Sequence, residues 1–323
     1  MVPIKQVIKR EFHVLKEDIT RHILYSIVLI SFSALCTFAL VSVNISHTQP
    51  KLTTISHVFS QDAHAPLVQP QIDEGYTERG SPYDNRTVGS ESANVIFHGP
   101  RDKKQIALTF DAEMTDGMHA NVISGAVKVS YDSHIIDILT KTNTKATLFL
   151  TGMWIEMYPD ITLQLSQNPL FEIGSHSYTD SSYAGFCYGL KQLADTVKIE
   201  DIGATEKLLR EHAGIDNRLF RFPGGCYTPA DVKLVTQAND TVVHWDVIGA
   251  DGFNTNTTQI VHNVVDNVQN GSIIVLHMNG APTAPKTADA LPEIISKLKA
   301  KGYQFVKVNE LLGLSPEIRS SQL

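Results

Sequence analysis

From Gln105 onward, short apolar runs alternate with amphipathic stretches, and this alternation constrains the fold more than any other property of the chain. The strand-like runs are "QIALTF" at 105–110, "ATLFL" at 146–150, "FEIGS" at 171–175, "LFRF" at 219–222, "TVVHW" at 241–245, "SIIVL" at 272–276 and "QFVKV" at 304–308. Helical periodicity falls between them, at 132–142, 159–168, 191–212, 229–238, 257–269 and 286–301. Pro159 and Pro229 stand near helix starts, where the missing N–H costs nothing. Gly214, Gly271 and Gly302 stand near helix ends, where a left-handed residue is needed. Strict alternation implies a parallel sheet covered by helices, either an open doubly wound sheet or a barrel. In both, chemistry gathers at the C-terminal ends of the strands.

Those ends are occupied by ionisable residues. The first run closes in "TFDAEMTDG", which carries Asp111, Glu113 and Asp116. His176 and Asp180 follow the third run, and Arg221 lies in the fourth. Asp246 and Asp251 follow the fifth, and His277 the sixth. Carboxylates next to a buried strand are costly unless paired, hydrogen-bonded or bound to metal. Charges placed so regularly are expected to converge on one site.

The N-terminal third reads differently. Residues 23–45 contain no charge and are long enough to cross a bilayer as a helix. Lys5, Lys9, Arg10, Lys16 and Arg21 precede them and only Lys51 follows closely, which predicts a cytoplasmic tail at 1–22 and everything else outside. No small-x-small cleavage site is evident, so an uncleaved anchor is expected over a signal peptide. Residues 46–100 read as a polar linker or stalk, 101–313 as the functional domain and 314–323 as a tail. Outside the membrane, Cys187 and Cys226 are free either to pair or to remain buried thiols. The net charge of −7 argues against nucleic acid as a partner.

Five fragments, in order, resemble the motifs of the NodB-like polysaccharide deacetylases. They are "TFDAEMTDG", "HSYTD" at 176–180, "RFPGG" at 221–225, "WDVIGADGF" at 245–253 and "IVLH" at 274–277. The resemblance implies a distorted (β/α) barrel of seven strands acting on an acetylated polysaccharide with a divalent metal ion. It implies Asp111 as general base, Arg221 as its partner and His277 as general acid. Asp251 would orient that histidine, with Asp246 as the rival. The Gly224 N–H would face the oxyanion. Hydrolysis of an amide needs an activated water, a stabilised oxyanion and a proton for the leaving amine, and these residue types can supply them around a metal.

The sequence departs from the family pattern at the metal. Ala112 stands where the family has its metal-binding Asp, and Asp180 where it has a second His. Glu113, His176 and Asp180 then form the expected ligand set, with Asp116 as a further candidate. One imidazole with two carboxylates is a harder set than two imidazoles with one, so cobalt, nickel or manganese stand beside zinc. Gly252 replaces the family's aromatic, with Phe253 next. Trp154, Tyr178, Tyr183 and Tyr227 are candidates to stack on sugar rings. The expected activity is N-deacetylation of peptidoglycan or a chitin-like glycan; the alternatives are an O-acetyl esterase and an inactive glycan-binding relative.

Overall fold

The computed structural model describes residues 94–216 and 218–314 and the backbone of Ile318–Arg319. The proposed tail, anchor and most of the stalk lie outside the described residues. No helix among the described residues is long and apolar enough to cross a membrane.

In chain order the strands are β1 (Val95–Ile96), β2 (Gln105–Ala112), β3 (Ala146–Leu150), β4 (Phe171–Ser175), β5 (Ile215–Asp216), β6 (Leu219–Phe220), β7 (Thr241–Val243), β8 (Val247–Ile248), β9 (Ile273–His277), β10 (Gln304–Val306) and β11 (Ile318–Arg319). The helices are α1 (Asp116–Ile123), α2 (Ser133–Lys141), α3 (Gly152–Met157), α4 (Pro159–Gln167), α5 (Lys198–Ala213), α6 (Pro229–Gln237), α7 (Thr257–Val265), α8 (Thr287–Ala300) and α9 (Val308–Leu312). The main sheet is parallel throughout and runs β1-β7-β6-β4-β3-β2-β9-β8, with β10 added to the start of β2. β7 pairs with β6, while β8, three residues later in the chain, pairs with β9 at the other end. One stretch, 241–248, therefore serves both ends, so the sheet curls into a parallel half-barrel.

The strand β2 shows how the sequence sets the two faces. Side chains alternate along a strand. Ile106, Leu108, Phe110 and Ala112 pack into a cluster with residues of the outer helices, such as Leu139, Ile260 and Leu291. Ala107 points the other way, into a cluster with Phe149, Leu219, Val243 and Ile273 from the neighbouring strands. Val308 and Leu311 of α9 belong to that inner cluster too. Thr109 and Asp111 continue the inward row, so the strand delivers a carboxylate to the concave face by period alone.

Capping fixes the helix starts. Thr115, Asp132, Thr151 and Asn256 accept from backbone N–H groups of α1, α2, α3 and α7. Thr228 and Asp231 form a capping box at α6. Gly214 ends α5 in the left-handed conformation, φ 64°. Three differences from the expected elements have local causes. The helix expected from 191 begins at Lys198, because Ser182 donates its N–H to the Lys191 carbonyl and accepts from Leu193 N–H, drawing 191–193 into a bridge. The short helices α1 and α3 fall in stretches expected to be loop. Val95–Ile96, inside the expected stalk, adds a strand to β7.

Candidate active site

Register places the site. In the β2–β9 ladder Asp111 lies opposite His277, and in the β2–β3 ladder it lies opposite Phe149. His176 immediately follows β4, and its N–H donates to the Leu150 carbonyl. Arg221 immediately follows β6, and its N–H donates to the Ser175 carbonyl. Four strands thus bring their charged residues to one end of the curl.

Arg221 is fully buried. Its Nη1 donates to Asp111 Oδ1 at 2.7 Å and to Thr109 Oγ1 at 2.8 Å. Nε and Nη2 reach the carbonyls of Val243 and His244, both at 3.3 Å. The guanidinium lies 4.0 Å from the Phe149 ring centroid and 5.5 Å from that of Trp245. Burial lowers its pKa and Asp111 pulls it back. For Asp111, burial would raise the pKa, but Arg221, then His176 and His277, hold the carboxyl below its ordinary value. The charged pair is fully enclosed and satisfied, the condition under which a buried ion pair is tolerated.

His277 forms a second unit. Its Nδ1 lies 2.8 Å from Asp251 Oδ1, and its backbone N–H donates to Asp251 Oδ2 at 2.8 Å. Thr287 Oγ1 donates to the same Oδ2. The outer nitrogen, Nε2, stands 3.3 Å from Glu113 Oε1. Burial lowers the pKa of His277, but Asp251 and Glu113 outweigh it and leave the ring well above the ordinary value.

Between these units lies a third group. Glu113, His176 and Asp180 each offer a ligand atom, all within 4.8 Å of one another. His176 Nδ1 is 3.0 Å from the Arg221 carbonyl, which fixes the proton there and turns the lone pair of Nε2 inward. Nε2 and Asp180 Oδ1 are both buried and have no hydrogen-bond partner among the described residues. They lie 3.7 Å apart, and Nε2 is 3.8 Å from Asp111 Oδ2. Asp180 has φ 53°, a left-handed backbone that turns its carboxylate back toward His176. Burial, then Glu113 and Asp111, raise its pKa well above the ordinary value. Orphaned buried polar atoms call for an explanation. The charge count points the same way. Four carboxyl groups, of Asp111, Glu113, Asp180 and Asp251, gather around one guanidinium and two imidazoles, and the carboxyl neighbours of Asp180 raise its pKa, so a cation among them would relieve that crowding. A divalent cation fits this donor set in both reach and charge.

Several expected residues fall outside this group. Asp246 takes Arg101 at 2.7 Å, Ser272 Oγ and the Ile273 N–H, so it ties β8 to β9 structurally, and Asp251 is the partner of His277. Asp116 is exposed in the first turn of α1, 3.5 Å from Lys191. Trp154 and Tyr183 are fully buried and cannot stack on a sugar. Tyr178 donates its hydroxyl to Glu156 and Tyr227 stacks on Phe222, although both keep some exposed surface. Gly224 follows Arg221 by three residues with φ 58°, and a Cβ there would meet Cys187 Sγ at 2.5 Å. Cys187 and Cys226 are joined in a disulfide, which ties the loop after His176 to the loop after Arg221.

Some supporting residues have no motif signal. Asn279 holds the Glu113 backbone from both sides, accepting from its N–H at 3.2 Å and donating to its carbonyl at 2.7 Å. Thr287, at the first turn of α8, reaches Asp251 from far along the chain. Thr109 was findable, because period two puts it on the face of Asp111.

Comparison with known proteins decides the family. A family model described as polysaccharide deacetylase matches residues 98–243. A peptidoglycan-N-acetylglucosamine deacetylase of Bacillus cereus is 31% identical over 227 residues, covering 70% of this chain and 75% of the relative. The chain belongs to the polysaccharide deacetylase family. Its relatives are deacetylases, hydrolases of amide bonds, and the chain is a hydrolase of that kind. A crystal structure of a peptidoglycan N-acetylglucosamine deacetylase in complex with 4-naphthalen-1-yl-N-oxidanyl-benzamide superposes with a TM-score of 0.59 at 28% identity, covering 71% of this chain and 97% of that one. A mutant of a Bacillus anthracis family pseudoenzyme, described as having restored enzymatic activity, matches with a TM-score of 0.54 at 25% identity, covering 67% and 70%. The parallel half-barrel is consistent with the family fold, while the Glu113–His176–Asp180 cluster keeps one histidine of the family's metal pattern and differs from it at the two carboxylates.

Proposed function

We propose that this deacetylase hydrolyses N-acetyl groups on an amino-sugar polysaccharide, peptidoglycan or a chitin-like glycan, using a divalent ion held by Glu113, His176 and Asp180. One observation carries the reading: two unpartnered buried ligand atoms, His176 Nε2 and Asp180 Oδ1, converge with Glu113 between Asp111 and His277. A cation held there supplies the positive charge that activates water and polarises the acyl carbonyl. Zinc is the ion we expect, with cobalt, nickel or manganese as alternatives.

The chain's own residues do the rest. Asp111 accepts the proton of the attacking water, and Arg221 fixes its orientation while keeping it ionised. His277 donates to the departing amine, held in place by Asp251. The Gly224 N–H stabilises the oxygen that gains charge. We read the half-barrel as the family's distorted seven-stranded barrel, with 241–248 as its seam. We read 23–45 as the anchor that places the domain outside a membrane, beside a cell-wall glycan. That location rests on the charge pattern of the N-terminus.

A second reading, an inactive glycan-binding pseudoenzyme, is favoured by Ala112 and Asp180, which replace a metal carboxylate and a metal histidine of the family. Acetate release from acetylated glycans separates the two. We expect release from N-acetylglucosamine oligomers, loss with chelator and return on adding zinc, cobalt, nickel or manganese. Asp111→Asn should lower it by about 10²–10⁴-fold while the protein stays folded. Release from acetylated xylan alone would make the enzyme an esterase, and no release under any condition would make it the pseudoenzyme.

A further inference from the structure

Asp201 lies in the first turn of α5 and is buried, yet it belongs to no motif and takes no part in the reaction. Lys198, one turn earlier, pairs with Asp195 and Asp231 instead. The Asp201 carboxylate turns to the loop after β4. Its Oδ2 accepts the Tyr178 N–H at 3.1 Å, and the Thr179 N–H donates to the same carboxylate. Its Oδ1 accepts the Tyr183 hydroxyl. One buried side chain thus gathers three donors from a single stretch of loop, 178–183.

That stretch carries Asp180. Tyr178 and Thr179 stand between Ser177 and Asp180, which both have left-handed backbone, φ 63° and 53°. Two such turns at non-glycine residues persist only where the surroundings over-determine them. Here the carbonyls are held from one side. The Ser177 carbonyl accepts from the Gly152 N–H at 3.0 Å and from Thr205 Oγ1 at 2.7 Å, and the Tyr178 carbonyl accepts from the Met153 N–H at 3.0 Å. Thr205 is four residues after Asp201, on the same face of α5. A Cβ at Gly152 would meet the Tyr178 ring at 2.2 Å, so the start of α3 packs directly on the loop. For the Tyr178 and Thr179 N–H groups the acceptor is Asp201. On either side of this clamped segment, His176 Nε2 and Asp180 Oδ1 come to lie 3.7 Å apart.

We propose that Asp201 is a positioning residue for the cation: by accepting from the segment between the two left-handed turns, it holds Asp180 where it can share an ion with His176 and Glu113. This rests on the reading of those three residues as metal ligands. The full chain, stripped of metal with chelator, is titrated with zinc by calorimetry and with cobalt by visible absorption, which reports the donor set. Asp201→Ala should weaken the zinc Kd by about 10–100-fold and change the cobalt band. Asp201→Asn should keep the zinc Kd within about threefold of native, because its carboxamide oxygen still accepts from the loop and its NH2 can donate to the Tyr183 hydroxyl. Asp201→Leu, of similar shape, should weaken binding as the alanine does, and it keeps the test open if the alanine variant does not fold. Val264→Ala, a core truncation in α7, should lower the melting temperature and leave the zinc Kd and the cobalt band native. A native zinc Kd in folded Asp201→Ala or Asp201→Leu, a loss in Asp201→Asn equal to that in Asp201→Ala, or the same loss in Val264→Ala would overturn the role of Asp201. A native chain that binds neither zinc nor cobalt would overturn the metal reading itself.

Discussion

At the residue scale, two acid–base groups lie on neighbouring strands and are driven in opposite directions. Asp111 and His277 are register partners, yet the first is kept ionised by Arg221 and the second protonated by Asp251 and Glu113. Proximity alone would couple them; the separate partners push their pKa values apart, as the proposed base and acid roles require. Asp251 acts only through His277, so it is a positioning residue. His277 supplies its proton below its raised pKa and loses it as pH rises through that value. Asp251→Asn removes the negative charge that raises it. The alkaline limb of the kcat/KM profile should therefore move to lower pH, with a larger loss of rate at about pH 8 than at about pH 6, where even an ordinary histidine is largely protonated. An unshifted limb would remove Asp251 from this role. The residues named from motifs lie together at one end of the sheet, and it is Asp251, not Asp246, that contacts His277. Both aspartates follow the same strand-like run, and only the fold shows that Asp246 faces Arg101 and the β9 backbone.

At the element scale, loops after β4 and β6 are joined by the Cys187–Cys226 disulfide, which spans 39 residues. The loop it constrains begins at His176 and Asp180. Cross-linking a stretch of that length removes chain entropy from the unfolded state worth about 4 kcal/mol in the simplest treatment, and engineered cases often deliver less. Replacing both cysteines with serine should lower stability by about 2–4 kcal/mol in denaturant titration. It should also weaken metal affinity, because the loop that carries Asp180 is then no longer tied to the turn after Arg221. A variant with native stability and native metal affinity would show the bond to be incidental. Strand and helix positions were legible wherever the period was long: β3 and β4 match their expected runs, and five of the six expected helices lie within a few residues of their places. The sixth, α5, was misread at its start because a bridge to Ser182 overrides the local helical pattern. The two-residue strands β1 and β8 carry too little pattern to be seen.

At the scale of the whole molecule, stability and function place opposite demands on buried carboxyls. Away from the site, Asp240 sits at the start of β7 against Glu206 of α5, and no donor among the described residues reaches either of its oxygens. Burial, then the Glu206 carboxyl, push its pKa up to about 9. An unfolded aspartate titrates near 3.9, so between these values the folded protein keeps a proton that the unfolded chain has released. Stability then falls as pH rises, by at most about 1.4 kcal/mol per pH unit. Asp240→Asn should flatten the dependence of the unfolding midpoint between about pH 5 and about pH 8 and raise the midpoint at the upper end. A native pH dependence in this variant would show that the pair shares no proton. The strand–helix alternation and the strand-end charges, both local in sequence, were enough to determine a parallel α/β architecture and which charged residues gather at one end of its sheet. Only the tertiary structure decided which carboxylates lie close enough to share a cation, which aspartate contacts His277 and whether two distant cysteines meet. Each of these depends on how strands far apart in the chain are paired and how the sheet is curled, and a periodicity read along one segment carries no information about the distance to another.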